Sequence, residues 1–157
     1  MDKQTFTELV RQNERRLYCV AMSYTGNAPD AADAVQEALL RAWARRGTLR
    51  EERLFSTWLM RIVINECKTL LRKRRRMIPL EQLPEQAFQM PADADGNLYA
   101  ALFSLPEKYR VPLVLSALEG YTLSEIAQML HLPVNTVKTL VSRARHQLRQ
   151  EVADDAQ

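Results

Sequence analysis

A helix, a three-residue turn and a second helix are encoded in residues 119–145, and no other segment constrains the fold as much. Thr122 and Glu125 have the S/T-x-x-E spacing of a capping box, so a helix is predicted to start there. Ile126, Ala127 and Leu130 form its apolar side. Pro133 has no amide hydrogen to donate and stops simple continuation past the turn, leaving His131 as a turn residue. In the second helix Val137, Val141, Ala144 and Leu148 fall in one stripe at helical spacing. Its other side carries Asn135, Thr136, Lys138, Thr139, Ser142, Arg143 and His146. Short hydrogen-bonding side chains at a helix start suit base edges, and later cations suit phosphates. The same pattern alone would also describe a helical hairpin with a solvated face.

The first half reads as further helices. Phe6, Leu9, Val10, Leu17, Val20, Ala21 and Tyr24 keep helix spacing until Gly26-Asn27 breaks the run. Asn27 and Pro29 open a helix to about Trp43, with Val35, Leu39 and Ala42 inward. Residues 47–54 are charged and aperiodic, hence a loop or short turn. Ser56 is predicted to cap a long helix ending in the Arg72–Arg76 run. Leu59, Ile62, Val63 and Leu70 form its core side, whereas Trp58, Arg61, Asn65, Lys68, Arg72 and Arg75 recur as one outer stripe. Cations meet phosphates and an aromatic ring stacks on bases, so this stripe fits nucleic acid. Equally, Trp58 could be a core residue and the arginines a solvated helix end that complements the helix dipole.

Charge divides the chain. Residues 1–77 hold 16 Lys+Arg against 9 Asp+Glu, residues 78–97 hold acids and no base, and residues 98–157 are balanced. A basic module of residues 1–77 is expected to face a polyanion. Pro79, Pro84, Pro91 and Gly96 mark residues 78–97 as a flexible acidic linker, with a second module over residues 98–157. There, Leu98, Ala101 and Leu102 suggest a short helix, and Ser104 to Glu107 a second capping box. Pro112 should kink or delay the helix that follows, and Gly120 should cap its C-terminal end. The expectation is an all-α chain of two small helical domains, each with a limited core and a relative placement set by partners.

Catalysis is not indicated. Four glycines are too scattered for a phosphate loop, and neither histidine stands near other ligands at metal spacing. Neither a metal nor a cofactor is expected. Cys19 and Cys67 lie in helical patterns and read as free thiols in a reducing cytosol. The start Met-Asp-Lys-Gln-Thr has no apolar run, so no signal peptide is expected, and Val111 to Leu118 is too short to span a bilayer.

Together the motifs resemble the extracytoplasmic-function (ECF) subfamily of bacterial RNA polymerase sigma factors. Residues Asp30 to Trp43 look like the helix that docks on the polymerase clamp, and Phe55 to Asn65 like the segment that melts and reads the −10 element. Leu105 to Arg110, Glu119 to Thr122, Thr136 to Lys138 and Arg143 to Arg145 look like the −35-reading domain. The resemblance implies a non-catalytic initiation factor that binds polymerase core through the clamp of the largest subunit and the flap. It implies clamp contacts from Asp30, Asp33, Gln36 and Glu37, and −10 contacts from Trp58, Arg61, Asn65, Lys68, Arg72 and Arg75. It assigns −35 contacts to Asn135, Thr136, Lys138, Thr139, Arg143 and Arg145. It further implies promoter DNA as partner, no small-molecule substrate, cytoplasmic action, and restraint by an anti-sigma factor, often membrane-bound. The family usually carries Gly at position 135, a basic residue at 140 and an acid at 32, where this chain has Asn135, Leu140 and Ala32. Two rival readings are a freestanding DNA-binding regulator and a helical protein adaptor. A freestanding regulator would concentrate its positive charge on the helix-turn-helix half.

Overall fold

A computed structural model describes residues 1–77 and 96–155, and the described residues are helical throughout apart from short connections. In the first half, α1 (Lys3–Thr25), α2 (Ala28–Ala44) and α3 (Phe55–Met77) pack on one another. Asp2 caps α1 through the Thr5 amide, and Gly26 ends it in the left-handed conformation (φ 74°), open to glycine at little cost. Asn27 caps α2, with Pro29 in its first turn, as the sequence predicts. Two short 3-10 turns, Arg46–Thr48 and Glu52–Leu54, fill the α2–α3 connection.

The second half holds α4 (Gly96–Ser104), α5 (Glu107–Leu113), α6 (Leu123–Leu130) and α7 (Val134–Asp155). Thr122 and Glu125 form a complete capping box at α6, and His131 ends that helix with φ 55°. Val137, Val141 and Ala144 are buried, so the predicted α7 stripe is its core side.

Several local expectations change. Ser56 does not cap α3, because the turn before it runs straight into a helix beginning at Phe55. Ser104 forms no capping box: its hydroxyl donates back to the Ala101 carbonyl, and Pro106 is the cap residue. Gly96 belongs to α4 and not to the linker, whereas Pro79, Pro84 and Pro91 lie outside the described residues. Pro112 sits inside α5, and the helical path continues as a π-turn, Val114–Leu118, to Gly120 (φ 72°).

The largest departure is in packing. The two halves share one core: Leu17, Val20, Leu59, Met60, Val63 and Ile64 belong to the same buried cluster as Val111, Leu115, Ile126, Met129 and Val137. On α3, periodicity identified Leu59 and Val63 but passed over Met60, Ile64 and Cys67, which are fully buried. A smaller cluster of Leu102, Leu105, Leu113, Val114 and Ala144 lies within the second half.

Cys67 has no exposed surface, and burial, with Glu66 adding to it, pushes its thiol up to about 12. A maleimide at neutral pH should therefore leave Cys67 unmodified in the native chain and label it promptly in denaturant. Equal labelling rates in both states, read by mass spectrometry, would contradict this packing.

Candidate nucleic-acid interface

Helix α3 presents its stripe unevenly. Arg61, Asn65, Arg72 and Arg75 are exposed, and Lys68 is half-buried. Trp58 is half-buried. Its ring packs against the core and lies 5.8 Å from Phe55, and its indole N–H donates to Thr48 Oγ1 at 3.3 Å. The 3-10 segment is thus pinned by Trp58 and, at its start, by Arg46. The Arg46 guanidinium stacks 3.8 Å from the Trp43 ring and donates to the Trp43 carbonyl at 2.8 Å. Downstream, Lys68, Arg72 and Arg75 border a groove of about 170 Å³ with Leu71 and Glu107.

On α2, Asp33, Gln36 and Glu37 share an exposed face with Leu40, which is 67% exposed. Asp30 does not join them, being only 3% exposed. Its carboxylate pairs with Arg74 of α3 and accepts from Asn27 Nδ2 at 2.7 Å, while its own amide donates to Asn27 Oδ1 at 2.9 Å. Asp30 therefore ties the start of α2 to the basic end of α3. The Asn27-x-x-Asp30 spacing, that of a reciprocal cap, was the sequence signal for this inward role. Arg41 likewise pairs with Glu66 between α2 and α3.

On α7, Asn135, Thr136, Lys138, Thr139, Ser142, Arg143, Arg145 and His146 are all exposed. Thr139 donates its hydroxyl proton to the Asn135 carbonyl at 3.0 Å, leaving its oxygen as an acceptor. Lys138, Ser142, Arg145 and Arg149 recur at steps of four, three and four along one flank. With Ser116, Leu123 and Val141 they line an open groove of about 460 Å³. Arg149 was missed in sequence, although its spacing from Lys138 and Arg145 places it on that flank. Ser116 arrives by folding alone and left no sequence signal.

The stripe on α3 and the outer face of α7 are two separate cationic surfaces on two halves of the chain. Among the described residues, no group of His, Cys, Asp or Glu could hold a metal ion, and no helix is long and apolar enough to cross a membrane.

Comparison with known proteins gives consistent matches. The Sigma-70 region 2 family matches residues 9–77, and the Sigma-70, region 4 family matches residues 95–148. The ECF RNA polymerase sigma factor SigW of Bacillus subtilis is 30% identical, the alignment covering 98% of this chain and 91% of that protein. The ECF RNA polymerase sigma factor SigM of Mycobacterium tuberculosis is 33% identical over 94% of this chain and 76% of the relative. Among solved structures, the sigma factor RpoE of Bartonella quintana, in complex with the anti-sigma factor NepR, superposes with a TM-score of 0.85 at 25% identity. That match covers 94% of this chain and 96% of the other. CnrH, in complex with the cytosolic domain of CnrY, gives a TM-score of 0.75 at 28% identity, covering 98% and 91%.

Proposed function

The chain belongs to the ECF RNA polymerase sigma factors, and from that premise we propose how its surfaces divide the work of promoter-specific initiation. The observation that carries the proposal is the pair of exposed polar surfaces, α3 and α7, on opposite halves of one chain, with a third exposed face on α2. Asp33, Gln36 and Glu37 engage polymerase core, with Leu40 supplying an apolar contact among them. Asp30 supports that face from within. Arg61, Lys68, Arg72 and Arg75 bind phosphates of the opened −10 strand, and Asn65 contacts an unstacked base. Trp58 holds the segment before α3 in place through Thr48.

Helix α7 enters the −35 major groove, with Asn135, Thr136 and Thr139 nearest base edges and Arg143 on the backbone. Lys138, Arg145 and Arg149 form the flank that follows the other side of the groove. RpoE is seen with the anti-sigma factor NepR, and CnrH with the cytosolic domain of CnrY, which supports an anti-sigma factor as the restraint on this chain. The partner of CnrH is a cytosolic domain, so a membrane-anchored anti-sigma factor fits the same reading. Affinity purification of the chain from a bacterial lysate should recover the core polymerase subunits; their absence under low-salt conditions would refute the assignment.

Contacts on α7 should separate by kind. Arg143→Ala and Arg149→Ala should weaken promoter binding on every sequence and reduce the salt slope by about one phosphate each. Asn135→Ala should instead relax preference at particular −35 positions, by about 1–3 kcal/mol for a good contact. Binding isotherms on a −35 substitution series distinguish these outcomes; a uniform loss for Asn135→Ala would make it a backbone contact.

A further inference from the structure

Asn135 and Thr139 are one helical turn apart on α7, so they share a face and stand about 6 Å apart along the helix axis. Both are exposed. Their hydrogen bonding differs. The Thr139 hydroxyl has a single proton and donates it to the Asn135 backbone carbonyl at 3.0 Å, so its oxygen faces outward as an acceptor alone. Asn135 meets Thr139 through its backbone, and among the described residues its side-chain amide makes no hydrogen bond. That amide offers an accepting oxygen and a donating nitrogen side by side in one plane. Further along α7 the Gln150 amide is instead engaged by His146 at 3.2 Å.

The two patterns select different bases. In the major groove adenine offers N7 to a donor and its N6 amino group to an acceptor, which matches a planar amide at both atoms. Guanine presents two acceptors there, cytosine a donor, and thymine an acceptor and a methyl group, so each leaves half of the amide unmatched. An oxygen with no proton to give needs an amino group, which adenine and cytosine carry in that groove. Against guanine O6 or thymine O4 it sets lone pair against lone pair. Successive base pairs rise by about 3.4 Å, so the two side chains reach bases one or two steps apart.

Resting on the sigma-factor reading, we propose that Asn135 and Thr139 together specify this chain's upstream promoter element. Asn135 takes adenine through both amide atoms. Thr139 takes an amino-bearing base, adenine or cytosine, one or two base pairs away. Asn135 is the stronger determinant, because it makes two bonds to one base. The Thr139 bond to the Asn135 carbonyl fixes the polarity of the second position.

The test uses the full chain assembled with core polymerase, which selects from promoters with a randomised upstream element; bound duplexes are sequenced. Wild type should enrich adenine at one position, and adenine or cytosine one or two steps away, each by about tenfold. Asn135→Asp turns the amide into an acceptor alone and should move the first preference from adenine toward cytosine, leaving the second in place. An acid in the first turn of α7 suits the helix dipole, so folding is kept. Thr139→Val should erase the second preference and spare the first, and Thr139→Ser should restore it. Circular dichroism checks that the helices persist. One arm needs no variant: 7-deazaadenine, which lacks N7, at the first selected position should weaken wild-type binding about tenfold. Adenine retained by Asn135→Asp, the second preference retained by Thr139→Val, or binding indifferent to 7-deazaadenine would overturn the proposal. An assembly that enriches no upstream sequence at all would instead count against the sigma-factor reading.

Discussion

Arg110→Ala should cost about 3 kcal/mol of stability, one of the largest losses available to a single side chain here. Arg110 is only 9% exposed. Its guanidinium donates to the Ser23 carbonyl at 2.6 Å and the Leu105 carbonyl at 3.0 Å, and stacks 4.6 Å from the Phe103 ring. Burial pulls its pKa below the usual guanidinium value, and Glu107 partly offsets this. Truncation leaves two carbonyls without their donor and a void beside Phe103, so hydrogen-bond and packing losses add. Arg110→Lys keeps the charge but not the planar fork, and should recover less than half of the loss. Urea denaturation reads the difference as a lower midpoint with a similar slope. A midpoint unchanged by Arg110→Ala would mean that the two halves do not share this buried contact.

Reversing charge on the exposed α2 face should have the largest functional effect. The double substitution Asp33→Arg, Glu37→Arg should weaken core binding by about 100-fold or more, roughly 2.7 kcal/mol, while changing stability by about 0.5 kcal/mol at most. Both side chains are exposed, so little intramolecular structure depends on them. Asp30→Ala is the informative control. It removes the acceptor of Arg74 and of Asn27 Nδ2, and should cost about 2 kcal/mol of stability. Fluorescence titration with core, paired with denaturation of each variant, separates the roles. Equal losses of core binding for Asp30→Ala and the double reversal, at unchanged stability, would return Asp30 to the contact surface.

How much was legible in the sequence depended on how local its cause was. The capping box at Thr122, the cap at Asn27 and the left-handed glycines at 26 and 120 follow from neighbouring residues, and all three kinds of feature are in place. The α7 stripe was equally clear because Val137, Val141 and Ala144 meet a single core side. Helix α3 was harder, since it is buried on two sides by different partners. Leu59 and Val63 satisfied the simple period, whereas Met60, Ile64 and Cys67 had no separate signature and join a buried cluster that both halves share. The same long-range packing recruits Ser56 away from capping and toward Tyr121. Asp30 shows the converse: the resemblance implies a clamp contact, whereas its side chain is buried and its spacing from Asn27 matches a local, inward role. Charge patterning located the basic end of α3 but not that Arg74 is turned back to α2.

Whether this chain confers promoter-specific initiation on RNA polymerase is read by run-off transcription. Purified core polymerase, with and without the chain, is presented with a genomic promoter library and the transcript starts are sequenced. Discrete starts that require the chain and share two upstream elements are the expected result. Asn65→Ala should reduce those starts more on duplex than on pre-melted templates. Core polymerase producing the same transcripts with and without the chain would contradict that role.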